Sequence, residues 1–209
     1  MGIVKTFGDA FSENLVTLIS GVENYQSPYA KTVNDPSDIV DSLVQSASLK
    51  SAAISATLSL PPGPFGWISV LPELFLIFRI QGHMIKDIAA LYGKDVKLTR
   101  ELLLYCMFKH GSAHVFRRMI EETSARIIIR PTTLQLFEKL VKLVGMKISR
   151  KILKGNLLRW VPLIGATITG GFAYLDTRTV GKTAKELFAK DLFIVPEITD
   201  ETSGSELET

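Results

Sequence analysis

Apolar residues follow helical spacing through almost the whole chain. They recur every three to four residues, and no convincing run of residues alternates between apolar and polar in the manner of a strand. The pattern predicts helices over residues 9–22, 36–57, 71–92, 98–122, 133–153 and 162–190. We therefore predict an all-α fold, with a single helical domain over residues 1–195 and a disordered acidic tail over residues 196–209.

Helix start and stop signals support these limits. Asp35 and Pro36 are typical of an N-cap and a first helical position, and Gly93 is typical of a residue just past a helix end. The PPGP run of residues 61–64 must end the second helix, because consecutive prolines cannot donate to the helical ladder. Thr132 or Thr133 is expected to cap the fifth helix.

Two of the predicted helices are apolar and begin after proline and glycine. Uncharged runs extend over residues 51–72 and 160–175. A spanning helix needs about 20 continuous helical residues, whereas PPGP interrupts the first run and the second has 16 residues. We interpret both as helix-turn elements that are buried in protein or dip into a membrane interface, with Phe65 and Trp67 at the first turn.

Small residues predict that these two helices pack together. They allow close helix approach, and they are Gly82 and Ala89 in one helix and Gly165, Ala166 and Gly170 in the other. The helices also share spaced identities, which indicate either a divergent internal repeat or a chance likeness of two amphipathic helices. The matched pairs are Arg79 with Arg178, Gly82 with Gly181, Lys86 with Lys185, and Asp87 with Glu186.

Composition and charge narrow the range of partners. The chain has 209 residues, 46% of them hydrophobic, and its mean hydropathy of +0.23 is high for a protein wholly in water. Five acidic residues and no basic one lie in the tail, so residues 1–195 carry 24 basic against 16 acidic residues, a formal charge of +8. Such a body favours anionic partners. The single cysteine, Cys106, cannot form an internal disulfide, which fits a cytoplasmic setting.

The fifth helix is amphipathic and basic. An apolar stripe of Leu134, Phe137, Val141, Val144, Ile148 and Ile152 is expected to face the core. The opposite half carries Lys139, Lys142, Lys147, Arg150, Lys151 and Lys154, interleaved with leucines. This face suits an anionic membrane surface, and a merely solvated basic face is the alternative. It lacks the aromatic residues on which nucleic acid bases stack, so we expect no nucleic acid partner.

Candidate catalytic or metal-binding chemistry is sparse. His110 and His114 lie four residues apart and could begin a metal site, but position 111 is glycine where a metallopeptidase helix carries its glutamate. DTRTVGKT, residues 176–183, has Asp176 where a phosphate-binding loop needs its first glycine. We therefore expect no cofactor and assign no catalytic residue.

Two stretches resemble the EcsC-like protein family. They are LPPGPFGWISVLPELFLIFRIQGHMIKDIAALYGKD and VPLIGATITGGFAYLDTRTVGKTAKELF, and the resemblance covers about residues 36–195. It implies a helical, membrane-associated bacterial protein that accompanies an ABC transporter and has no established catalytic mechanism.

The function expected from the residues and the resemblance together is that of a non-enzymatic interaction protein. We expect it to lie peripherally on the cytoplasmic face of a membrane, bound to anionic lipid or to a membrane protein, with an accessory role in transport implied by the resemblance alone. The rival interpretation is an enzyme or lipid-handling protein whose apolar helices around Gly66 and Gly165 enclose a ligand. The sequence does not decide between them, and the oligomeric state stays open.

Overall fold

The protein is predominantly helical, as predicted. A computed structural model describes residues 2–58, 70–116, 119–155 and 162–195. Its α-helices are α1 (Gly2–Asn24), α2 (Ser37–Leu58), α3 (Val70–Leu91), α4 (Arg100–Phe116), α5 (Leu134–Gly155) and α6 (Pro162–Phe188), with a short 3-10 helix at Asp95–Lys97. Phe65, Trp67, Gly66 and the acidic tail lie outside the described residues.

Helices α2, α3 and α6 lie side by side, and α2 runs opposite to the other two. Ser55 near the end of α2 donates to Glu73 at the start of α3 at 2.5 Å. Gly170 near the start of α6 lies against the last turns of α2, whereas Lys185 near the end of α6 pairs with Asp41 near the start of α2 at 2.8 Å. The end of α2 and the starts of α3 and α6 therefore lie together, at what we call the apolar end.

The remaining helices complete one hydrophobic core. Val22 of α1 packs against Gly82 of α3, and Asp9 of α1 lies 3.4 Å from Lys142 of α5. Helix α4 packs against α3, α5 and α6. The largest fully buried side chains come from five helices, α1 and α3 to α6, and include Leu15, Ile19, Ile85, Ile88, Leu102, Met107, Phe116, Phe137 and Phe188.

A three-stranded sheet corrects the prediction that no strand is present. Its strands are β1 (Ile120–Glu122), β2 (Arg126–Ile129) and β3 (Asp191–Ile194). β2 pairs antiparallel with β1 and parallel with β3. Helix α4 accordingly ends at Phe116, although the spacing predicted helix to residue 122. We call the end of α6 that continues into this sheet the sheet end.

Three of the predicted helix limits are confirmed by a local hydrogen bond or by backbone geometry. Asp35 Oδ1 accepts from the Ser37 backbone N–H at 3.1 Å, as an N-cap does. Gly93 has a φ of +66°, which glycine adopts at no steric cost. Thr133, of the two threonines considered, caps α5 by accepting from the Leu136 N–H at 3.3 Å.

Candidate functional site

Three large apolar side chains are exposed on α3 and α6, between the apolar end and the middle of α6. Phe172 is 66% exposed, Leu175 58% and Leu76 44%. Gln81 of α3 joins α6 by donating to Asp176, at 2.8 Å. Leu76 and Phe172 lie four or five residues before that contact on helices that run in the same direction, so they lie at one level. We call Leu76, Phe172 and Leu175 the apolar face.

The apolar face adjoins the two uncharged runs of the sequence. The described residues of both runs, 51–58 and 70–72 of the first and 162–175 of the second, meet at this end because it holds the end of α2 and the starts of α3 and α6. The predicted lipid contacts of Phe65 and Trp67 fall outside the described residues. The apolar face was not predicted from the sequence, although the uncharged run through Phe172 and Leu175 was the signal that could have found it.

The basic helix shows the expected division into two faces over the part whose side chains are described. Phe137, Val141 and Val144 are buried, as predicted. Leu134 was also expected in the core, but it is 56% exposed. It is the first residue of α5.

The opposite face of α5 lies at the surface. Lys139 and Lys142 are exposed there, and Leu143 beside them is 48% exposed. Lys142 also pairs with Asp9 at 3.4 Å while remaining 57% exposed, so it is not turned into the protein. The other predicted cations of this face have side chains outside the described part; these are Lys147, Arg150, Lys151 and Lys154.

Polar side chains are buried between α2, α3 and α6 beneath the apolar face. Ser48, Ser51 and Ser55 of α2 are at most 1% exposed, and Glu73 and Gln81 of α3 are 3% and 0% exposed. Among the described residues, Ser51 Oγ and Gln81 Oε1 find no hydrogen-bond partner. Serines at positions i, i+3 and i+7 of α2 were a sequence signal for this polar seam, which we did not predict.

The small residues predicted to form the α3 and α6 crossing serve other contacts. Helices α3 and α6 do pack together. A Cβ on Gly82 would lie 2.5 Å from Val22 of α1, and one on Gly170 would lie 3.1 Å from the Ala52 carbonyl oxygen of α2. Gly82 therefore allows the close approach of α1, and Gly170 allows the close approach of α2, because these are the helices that face them.

The other small residues named for that crossing are only partly described. Ala89 is fully buried in the core. Gly165 and Ala166 lie in α6, at positions whose surroundings are outside the described part.

One histidine of α3, His83, lies among polar and aromatic side chains, away from the predicted pair of histidines. The His83 ring stacks on Tyr25, with centroids 4.0 Å apart, and Asp87 accepts from Ser27 at 2.7 Å. Burial lowers the pKa of His83, to which the nearby Arg79 adds, and burial raises the pKa of Asp87. These contacts come from the segment that follows α1, which packs against α3.

No metal site emerges within the described residues. There, no three histidine, cysteine or acidic side chains come together in a way that would hold a metal ion. The side chains of His110 and His114 lie outside the described part, so their hypothesis is untested. Cys106 is fully buried, and burial raises its pKa to about 12, so its thiol is a poor nucleophile.

The most perturbed carboxylate is Glu122 at the sheet end. It accepts from Tyr105 at 2.7 Å, from Lys109 at 2.5 Å and from Lys190 at 2.9 Å. Burial raises its pKa, but the hydrogen bonds outweigh burial and lower the pKa from 4.5 to about 2. Glu122 thus stays ionised and joins β1 to α4 and to the chain after α6, which is a structural role.

Comparison with known families identifies the family of the chain. A family model described as the EcsC protein family matches residues 6–191. The chain belongs to the EcsC protein family. The match reaches further toward the N-terminus than the quoted stretches and includes most of α1. Comparisons with curated proteins and with solved structures found no match.

The lengths and hydropathies of the helices bear on the membrane hypothesis of this EcsC family member. Within the described ranges, no helix combines the length and the apolar character that crossing a bilayer demands. The alternative of a ligand cavity around Gly66 and Gly165 concerns surroundings outside those ranges.

Proposed function

We propose that the protein is a non-enzymatic, membrane-associated interaction protein that attaches to the surface of an anionic bilayer. Its apolar end enters the interface, and the basic face of α5 meets lipid headgroups. Membership of the EcsC family, which we expect to accompany an ABC transporter, extends the proposal to an accessory role in membrane transport.

The observation that carries the proposal is the apolar face. Isolated exposed apolar residues are common on soluble proteins, but Phe172 and Leu175 lie about one turn apart on α6, and Leu76 lies at the level of Phe172 on α3. Grouped apolar exposure is typical of protein or membrane contact sites. The described parts of the two uncharged runs converge at this end and extend its apolar character.

The basic helix adds an electrostatic contribution from nearby. Only six residues separate the end of α5 from the start of α6, and an extended connection of that length spans roughly 25 Å at most. The last turn of α5 therefore lies within roughly 25 Å of the start of α6. Lysine and arginine near an anionic surface contribute about 1 kcal/mol each to binding.

Vesicle flotation tests the proposal. The double variant Phe172→Ser, Leu175→Ser should bind vesicles that contain phosphatidylglycerol at least about tenfold more weakly, because each lost apolar side chain removes about 1.5 kcal/mol or more of burial. The matched control is Val33→Ser, Val96→Ser. Those valines are 102% and 93% exposed and lie outside the apolar face, so this variant should bind as the parent does.

A second variant in the same assay tests the charge contribution. It replaces four cations of α5 by glutamine and should lower affinity by up to about a thousandfold, at roughly 1 kcal/mol for each charge; the positions are Lys142, Lys147, Arg150 and Lys151. High salt should reproduce the effect on the parent. If both folded variants float with the vesicles as well as the parent does, the proposal is wrong.

A further inference from the structure

We propose that the groove between α2 and α6 binds a phosphate group, carried by a lipid headgroup or by a soluble phosphate ester. The inference rests on the proposed membrane function and gives it a chemically defined site. The groove has a volume of about 360 Å³ and is lined by both helices. That size lies within the range of small-molecule sites.

The close approach of the two helices forms the base of the groove. Gly181 of α6 has no side chain, and Val44 of α2 fills the space, with its Cγ2 only 2.5 Å from where a Cβ would be. Beside this contact Tyr174, Arg178 and Lys182 also line the groove. Their spacing of four residues sets them on one face of α6, so three long side chains project along a single wall.

The donors in the groove outnumber its acceptors. Asp41 supplies the only carboxylate among the lining residues, and it is paired with Lys185 at 2.8 Å. Arg178 and Lys182 take part in none of the ion pairs found among the described residues. A guanidinium can hold a phosphate through two parallel hydrogen bonds, and an ammonium adds a compact charge.

Two neutral side chains complete the donor set. Tyr174 offers a phenolic O–H on the α6 wall, and Gln45 offers an amide N–H₂ from α2. One phosphate group has several oxygens, which can accept hydrogen bonds from both walls of the groove. A phosphate therefore suits these donors better than a carboxylate ligand does. Arg178 and Lys182 are themselves exposed, so folding does not depend on burying them.

The position of the groove connects it with the proposed membrane contact. The exposed side of α6 changes from apolar at Phe172 and Leu175 to cationic at Arg178 and Lys182. At 1.5 Å per residue, Arg178 lies roughly 5 Å and Lys182 roughly 10 Å along the helix from Leu175. If the apolar face enters the interface, these neighbouring cations lie within reach of lipid phosphates, toward which long cationic side chains commonly extend.

The test compares the variant Arg178→Gln, Lys182→Gln with the control Lys50→Gln, Arg79→Gln. The control removes two exposed charges from α2 and α3 outside the groove lining, so general electrostatic attraction falls in both. Each protein is floated with phosphatidic acid vesicles and, separately, titrated with glycerol phosphate by calorimetry. The groove variant should lose about thirtyfold in vesicle affinity, roughly fivefold for each charge, and the control less than fivefold.

Each outcome bears on the proposal. Binding of glycerol phosphate by the parent and the control, but not by the groove variant, identifies a site for soluble phosphate esters even if the parent ignores vesicles and the membrane function fails. A groove-specific loss on vesicles alone identifies a lipid phosphate. The proposal is overturned if the two variants lose vesicle affinity equally and glycerol phosphate binds to none of the proteins, a result that leaves the membrane function intact.

Discussion

The two ends of the helical bundle each hold a glutamate, and the two glutamates have contrasting surroundings. At the sheet end, Glu122 accepts hydrogen bonds from two lysines and a tyrosine. At the apolar end, Glu73 is 3% exposed and accepts from the hydroxyl of Ser55. The first carboxylate sits in a cluster of opposite charge, and the second lies within the polar seam between helices.

This difference indicates separate roles for the two ends. The contacts of Glu122 join segments far apart in the chain, since Lys109 and Lys190 come from α4 and from the residue pair between α6 and β3. These contacts hold the sheet end together, while Phe193 and Ile194 of β3 are 47% and 49% exposed there. The apolar end combines buried polar groups with the exposed apolar face, an arrangement that leaves surface for a partner. We expect the sheet end to dominate stability and the apolar end to dominate binding.

Acid should weaken the sheet end first. The pKa of Glu122 is lowered from 4.5 in the unfolded chain to about 2 in the folded protein. Its contribution to the free energy of unfolding is thus fully present above pH 4.5 and is lost as the pH falls toward 2, by about 3 kcal/mol. Urea denaturation at a series of pH values measures this loss.

Two substitutions isolate the contribution of Glu122. Glu122→Gln should cost up to about 3 kcal/mol at neutral pH and should flatten the pH dependence. Glu121→Gln, on the neighbouring residue, should cost less than about 0.5 kcal/mol, because Glu121 is 56% exposed and lies 3.8 Å from Arg130. Equal effects of the two substitutions would contradict the special position of Glu122.

Adjacent glycines probe the packing of the apolar end. Gly170→Leu should lower the free energy of unfolding by about 1 to 3 kcal/mol through overpacking, since a Cβ there would lie 3.1 Å from the Ala52 carbonyl oxygen and 3.3 Å from Ala56 Cβ. Gly171→Leu meets no atom within 4 Å and should raise stability by up to about 1 kcal/mol. Thermal unfolding of both variants checks the contrast, which fails if they unfold alike.

Replacing two serines of the polar seam by alanine should change stability in opposite directions. Ser55→Ala removes a hydrogen bond to the Glu73 carboxylate and should cost about 1.5 kcal/mol. Ser51→Ala removes a buried hydroxyl that has no partner among the described residues and should be neutral or stabilising by up to about 1 kcal/mol. A loss of stability in Ser51→Ala equal to that in Ser55→Ala would mean that Ser51 also has an essential partner.

The sequence predicted the helices better than the sheet, for a physical reason. Helix limits depend on local signals, such as the cap at Asp35 and the positive φ at Gly93, and these are visible in a few residues. The pairing of β2 with β3 joins residues 126–129 to residues 191–194, and no local periodicity encodes it. Consecutive isoleucines at positions 127–129 favoured a strand, but the helical spacing before them masked that signal.

The candidate site was predicted only in part. The uncharged runs and the basic helix are one-dimensional patterns, so they could be found by inspection of the chain. The apolar face and the groove each need two helices from distant parts of the sequence to lie at one level. The register that sets this level follows from the contact of Gln81 with Asp176, which no spacing within either helix indicates.

Helices α3 and α6, which share the spaced identities, have matching glycines that each leave a notch on the helix surface. Gly82 receives Val22 and Gly181 receives Val44, each with a methyl carbon 2.5 Å from where a Cβ would be. A branched side chain seated in such a notch opposes sliding of one helix along the other, because any axial shift drives the methyl groups into the next turn. The motion left to the apolar end is therefore a tilt about these two anchor points. An EcsC protein that changes shape when it meets its partner should do so by pivoting its helices and not by shearing them.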